Sequence, residues 1–311
     1  MTVRTPLADD PTTLARVQEA MLRAMPPPDH DGVEQPRRAT NSNLSTEAEP
    51  AILDVVQLPF FEAVAQQCLR SRRVFYNGTG NAVSYPDARK EHAPACGGYP
   101  RSAPFTGEHV DWQCTLEDWE SRENITVSFF IWFADVTSIR APLMIRPGSH
   151  RTIMAANSQN ATTAGAPRTF GLLSDTDPLF HVNGDGPGSV GRLSGSLHEL
   201  LSADASSPPS APISLADLQP LQPITAPAGF VTVTCTALVH ALSFNCDNKP
   251  RMSVHLSFGR ESGLTPMRVK TPKAASIAEH WERVRPMLRP ERRHLCWQPG
   301  SVGGDGTVAR M

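Results

Sequence analysis

"RMSVHLSF", residues 251–258, alternates without a break: Met252, Val254, Leu256 and Phe258 are apolar, whereas Arg251, Ser253, His255 and Ser257 are polar. Successive side chains of an extended strand project to opposite faces. The stretch therefore reads as a strand with one side for a core and another carrying a guanidinium, an imidazole and two hydroxyls. Two upstream runs have the same form. In "ITVSFFIWF", residues 125–133, Ile125, Val127, Phe129, Ile131 and Phe133 share one side, against Thr126 and Ser128. In "VTVTCTALVH", residues 231–240, Val231, Val233, Cys235, Ala237 and Val239 oppose Thr232, Thr234, Thr236, Leu238 and His240. Strands of this kind pack on one side and line a polar interior with the other.

Around these runs, from Arg73 onward, short β-branched and aromatic segments are separated by Gly, Pro and Asn. Helical periodicity gathers toward the ends. In "DDPTTLARVQEAMLRAM", Asp10 caps a helix that opens on Pro11, carries Leu14, Val17, Met21 and Met25 on one face, and stops at Pro26–Pro28. A second helix is expected over "PFFEAVAQQCLRS", with Phe61, Val64 and Cys68 on its buried side. The pattern predicts a mostly β fold with flanking helices, a sandwich or jelly-roll, and not a βαβ alternation. Neither G-x-G-x-x-G nor a Walker motif occurs, and no internal repeat is found. Residues 27–50 lack periodicity and read as a mobile connection. This divides the chain into an N-terminal helix with its connection, 1–50, and a single domain, 51–311. The Ser/Pro/Ala-rich stretch near 155–225 reads as a long insertion or lid.

Composition narrows the partners. A chain of 311 residues with 40% hydrophobic content can bury one large core. Its 29 Lys and Arg against 31 Asp and Glu give a net charge of −2, with no basic field for nucleic acid. The most apolar runs are shorter than the roughly 18–20 residues a membrane span needs. Cys68, Cys96, Cys114, Cys235, Cys246 and Cys296 show no C-x-x-C spacing, and Met1 opens no basic-then-apolar leader, which points to reduced thiols and an intracellular, cytoplasmic setting. The Asn-x-Ser/Thr triplets at Asn43, Asn77, Asn124 and Asn160 then read as coincidence. Ala309, Arg310 and Met311 look like a relaxed peroxisomal address.

"GEHVDWQ", residues 107–113, places His109 and Asp111 two positions apart, on one face if extended. Alone, the pair is most simply a surface hydrogen bond. A third donor is available in His240, 131 residues on. Two histidines and a carboxylate on one face of an octahedron leave three positions open, as non-haem Fe(II) oxygen chemistry requires. Eleven residues after His240 comes Arg251, with Ser253 on the same side of its strand. A guanidinium fork and a hydroxyl together make a carboxylate socket.

The ordered set "HVD", "APLMIRPGSHR", "LVHALSFN" and "PRMSVHLSFG", spanning roughly residues 105–260, resembles the phytanoyl-CoA dioxygenase-like branch of the Fe(II)- and 2-oxoglutarate-dependent oxygenases. The resemblance implies a double-stranded β-helix, a cupin-like jelly-roll. It implies His109, Asp111 and His240 as iron ligands and Arg251 with Ser253 as the binder of the distal carboxylate of 2-oxoglutarate. It further implies O2 as co-substrate and a dioxygenase that hydroxylates an unactivated C–H of a small organic substrate, releasing succinate and CO2. Related halogenases have a small residue in place of Asp111, so hydroxylation, or a kindred desaturation or cyclisation, is favoured. Arg140 and Ala141 stand where many members have Asn-Gly, and Ala241 where Gly is common. The long interval between His109 and His240 agrees with an insertion.

Other residues have plainer readings. His150, in "PGSHR", braces a turn; His255 belongs to a cavity wall or core; Trp112 and Phe130 pack or line the pocket. Two rival functions remain open at this level: a non-catalytic jelly-roll that binds a ligand, and a cupin-type metalloenzyme that uses no 2-oxoglutarate.

Overall fold

The computed structural model describes residues 1–29, 37–41, 50–87, 108–109, 126–152, 192–193, 218–219, 222–260 and 282–296. The strands among them are β1 (Thr2–Arg4), β2 (Arg38–Asn41), β3 (Val74–Ser84), β4 (Glu108–His109), β5 (Val127–Trp132), β6 (Leu143–Ile145), β7 (Arg192–Leu193), β8 (Gln222–Ile224), β9 (Phe230–Cys235), β10 (His240–Ala241) and β11 (Arg251–Arg260). Helices α1 (Pro11–Ala24), α2 (Pro50–Val56) and α3 (Pro59–Leu69) precede most of them. A six-stranded sheet runs β1-β9-β5-β11-β3-β2, and a five-stranded one β7-β4-β10-β6-β8. The pairings in both are antiparallel. The chain passes repeatedly from one sheet to the other, which is the jelly-roll expected from the alternating runs and the double-stranded β-helix that the resemblance implies.

Alternation along β11 and β5 divides the large sheet into two faces. Met252, Val254, Leu256 and Phe258 join Val127, Phe129, Ile131 and Phe133 in the principal core. Helices α1, α2 and α3 cover that side, contributing Val17, Met21, Ile52, Val56, Phe61 and Leu69. Phe129 receives Phe61 edge-on at 5.4 Å and Phe258 at 5.8 Å, geometries that suit the ring quadrupoles. Tyr76 is fully buried and its hydroxyl donates to the carbonyl of Val56 at 2.8 Å, so the sheet also holds α2 through a polar contact. The opposite face of the sheet looks into the roll. There a smaller cluster of Trp132, Val136, Leu143 and Ala226 joins the two sheets.

Helix α1 begins as the sequence indicates. The Asp10 carboxylate accepts from the backbone N–H of Thr13 at 2.9 Å and from its hydroxyl at 2.6 Å; these bonds hold its carboxyl below the usual range. Three expectations are corrected. On α3 the buried residues are Phe61, Ala65 and Leu69, steps of four, and Cys68 is exposed. Part of the stretch read as a connection, Arg38–Asn41, is an edge strand paired with β3. The run 231–240 is not one strand. It turns after Cys235, where the N–H of Leu238 donates to the Cys235 carbonyl at 3.0 Å, and His240 opens β10 in the other sheet. The last residues of the supposed lid, Gln222–Ile224, form β8 against β6; most of 155–225 lies outside the described residues.

The N-terminal strand is stitched to the roll. β1 pairs with β9, and Thr5 Oγ1 donates to the carbonyl of Gly229 at 2.7 Å. Gly229 has φ +79°, and a Cβ there would lie 2.5 Å from the Ala8 Cα. Because that atom is backbone and cannot swing aside, Gly229→Ala is expected to cost about 2–4 kcal/mol, from left-handed strain and overpacking together. Chemical denaturation would register the loss; an unchanged midpoint would refute this close approach.

Candidate metal centre

The register of the smaller sheet decides where the histidines lie. His240, on β10, is paired with His109 on β4 and with Ile145 on β6. The two histidine positions are thus directly across from one another on adjacent antiparallel strands. The Pro-Gly-Ser-His turn after β6 supports this arrangement. Arg146 N–H donates to the Val239 carbonyl at 3.0 Å, and the buried Ser149 Oγ accepts from the Val239 N–H at 2.9 Å. The residue before His240 is therefore fixed on both its polar groups. Gly148, at φ +80°, makes the turn that brings Ser149 round.

His240 is buried, 7% exposed, and its Nδ1 lies 2.9 Å from the Leu238 carbonyl oxygen. A carbonyl only accepts, so the contact is a hydrogen bond when Nδ1 carries the proton; the neutral ring then presents Nε2 as its basic nitrogen. Metal-binding histidines are commonly oriented in this way, by a carbonyl on the second ring nitrogen. The donor set suits Fe(II) in this respect. Among the described residues no group of three His, Cys, Asp or Glu side chains that could hold a metal ion occurs. Asp111, the expected carboxylate ligand, lies outside the described residues.

Facing β10 across the interior is the polar side of β5 and β11. Phe130 stands between two imidazoles, with His240 at 6.3 Å and His255 at 4.9 Å between ring centroids. His255 is accordingly part of the wall, as its position on the strand indicates, and Phe130 packs against both. Trp112 lies outside the described residues. His150 sits half-buried on the turn; burial, then the neighbouring Arg151 and the amino terminus, push its pKa down and favour a neutral ring. Cys246, close to Asp87, is also held protonated, because burial and that carboxylate raise its thiol pKa.

Toward the start of β11 the wall carries a buried guanidinium. Arg251 is 3% exposed. One arm, Nη1, donates to Ser253 Oγ at 2.6 Å, and the other, Nη2, donates to Ser84 Oγ at 3.1 Å. The guanidinium lies 5.4 Å from the ring centre of Trp132, whose indole N–H donates to Thr232 Oγ1 at 2.9 Å. The fork is thus held in plane by two hydroxyls and one aromatic face. Ser253 was expected beside Arg251 as a donor to a carboxylate, and here it accepts from the guanidinium. Ser84 was not expected: it comes from β3, brought opposite Arg251 by the β3–β11 register, and no local motif marks it.

No family model matches the chain, and no curated protein matches it. Among solved structures it is similar to the non-heme alpha ketoglutarate dependent epimerase SnoN from nogalamycin biosynthesis, at 13% identity over 83% of this chain and 78% of that one, with a TM-score of 0.48. It is also similar to the carbocyclase SnoK from the same biosynthesis, at 14% identity over 83% and 79%, TM-score 0.48. A third is EctD from S. alaskensis, solved with 2-oxoglutarate and 5-hydroxyectoine, at 16% identity over 84% and 73%, TM-score 0.45. At this level of likeness no residue role or reaction carries over. The resemblance to the phytanoyl-CoA dioxygenase branch rests on the motifs themselves.

Proposed function

We propose that the protein is an Fe(II)- and 2-oxoglutarate-dependent dioxygenase of the phytanoyl-CoA dioxygenase-like kind, which hydroxylates an unactivated C–H of a small organic molecule. The observation that carries this reading is the pairing of His109 with His240 in one sheet, facing a wall that ends in the buried Arg251 socket. Directly opposed residues of an antiparallel pair have Cβ atoms about 5 Å apart, a spacing at which two imidazoles can share an ion. Asp111, two residues beyond His109, is assigned the carboxylate corner. When bound, ferrous iron with 2-oxoglutarate supplies the activation of O2 and the oxidative decarboxylation that yields succinate and CO2.

The chain's own groups have distinct tasks. Leu238 orients the His240 ring through its carbonyl. Arg251 receives the distal carboxylate of the keto diacid on its fork, while Ser253 and Ser84, having accepted from the guanidinium, keep their own O–H groups to donate to the same anion. Trp132 and Phe130 keep water from the charge pair and strengthen it by lowering the local dielectric. Anaerobic addition of Fe(II) and 2-oxoglutarate is expected to give the visible charge-transfer absorption of an iron-bound keto acid. Wild-type protein without that absorption would exclude the proposal and favour a jelly-roll that merely binds a ligand. With iron bound, mass spectrometry of candidate metabolites for one added oxygen would name the substrate.

A further inference from the structure

The ten residues between His240 and Arg251 connect β10 to the start of β11, and near their middle is Asn245, with no exposed surface. Its side-chain amide donates one hydrogen to the Ser84 carbonyl and one to the Lys249 carbonyl, both at 2.8 Å. Its Oδ1 accepts from the N–H of Asp247 at 3.1 Å. Since both carbonyls can only accept, the orientation of this amide is determined by its partners. The backbone of Asn245 is held as firmly. Its N–H donates to Asp87 Oδ2 at 2.8 Å, and its carbonyl accepts from the Asp87 N–H at 2.9 Å. Asp87, 1% exposed, accepts a further bond from the Arg37 N–H at 2.7 Å through Oδ1.

Two of these partners are the ones that place Arg251. Ser84 carries the hydroxyl that accepts from Nη2 of Arg251, and Lys249 lies two residues before it in the chain. One amide therefore bonds both the residue that holds one arm of the fork and the chain two residues before Arg251. We infer that Asn245, held by Asp87, is a positioning residue that sets the span between the metal strand and the carboxylate anchor, and so the chain length of the 2-oxo diacid the site accepts. The inference rests on the function proposed above. It requires that a slackened loop lose discrimination between 2-oxoglutarate and 2-oxoadipate, which is one methylene longer.

Both acids would be titrated anaerobically into the Fe(II)-loaded protein, with binding read from the charge-transfer absorption and from the ligand-induced shift in melting temperature. Asn245→Ala is expected to weaken 2-oxoglutarate binding by roughly 10–100-fold, by analogy with the loss when a residue that orients a metal ligand is removed, and to narrow the preference over 2-oxoadipate. Arg140→Ala is the control. It removes the guanidinium whose Nε and Nη2 both reach Asp247 Oδ2 at 2.9 Å, and leaves the bonds of Asp247 to Asn248 and Lys249, and Ser84, in place. It should lower the melting temperature and leave the preference at the wild-type ratio. Should Asn245→Ala fail to fold, Ser84→Ala severs the last link while retaining the carbonyl that Asn245 binds, and should narrow the preference in the same direction. An unchanged ratio in Asn245→Ala or Ser84→Ala, or an equal change in Arg140→Ala, overturns the inference while the wild-type absorption upholds the function. Wild-type protein with no absorption overturns both.

Discussion

His240→Ala is expected to abolish the charge-transfer absorption and to reduce turnover by about three orders of magnitude or more, because a metal ligand has no substitute in its shell. The folded state should survive. The imidazole borders Phe130 and hangs from a two-residue strand held mainly through its backbone and through Ser149, so the stability cost should stay within about 1–3 kcal/mol. Circular dichroism of the apo variant would show a retained fold, and iron titration would show the missing site. A variant that still gives the absorption would remove His240 from the ligand set and with it the meaning of its pairing with His109.

Arg251→Ala carries the second large effect. Two charge-assisted hydrogen bonds to a carboxylate contribute about 1.5–3 kcal/mol each, so losing the fork should raise KM for 2-oxoglutarate by about a hundred-fold or more. Arg251→Lys separates charge from geometry. The ammonium keeps the cation but cannot span Ser84 and Ser253 together, and an intermediate loss, about ten-fold, is expected. A cupin-type enzyme that uses no keto acid predicts something else. Its turnover would be indifferent to the head group at residue 251, provided the variant folds, and steady-state kinetics with and without 2-oxoglutarate distinguish the two.

Much of the roll was legible because alternation is a local property. Each residue of β5 and β11 declares its face by its own polarity, and the structure places both strands side by side with those faces aligned. The break between β9 and β10 was illegible for the same reason. Thr232 on one sheet and His240 on the other both meet the interior around Phe130 and Trp132, so the polar parity continues through the turn and conceals it. On α3, positions 61, 64, 68 and positions 61, 65, 69 both satisfy helical spacing, and only the packing partner decides between Cys68 and Leu69. Edge strand β2 carries no strong pattern, since its existence depends on the open edge of β3.

At the candidate site the sequence supplied the residue types and their order, and the register supplied what order cannot. Ser84 stands 167 residues before Arg251, and nothing in "NAVSY" signals a hydrogen bond to a distant guanidinium. The opposition of His109 and His240 is likewise a fact of pairing and not of spacing. Asp111 remains an assignment from its motif, joined to the rest by its place two residues beyond β4.

The large sheet acts as a bulkhead. Met252, Val254, Leu256 and Phe258 answer to the helices behind it, while Arg251, Ser253, His255 and Ser257 answer to the interior in front, and the two sets interleave along eight residues. Natural variation can therefore redecorate the chamber for new guests without reopening the joint that keeps the wall standing, because neighbouring codons govern separate rooms.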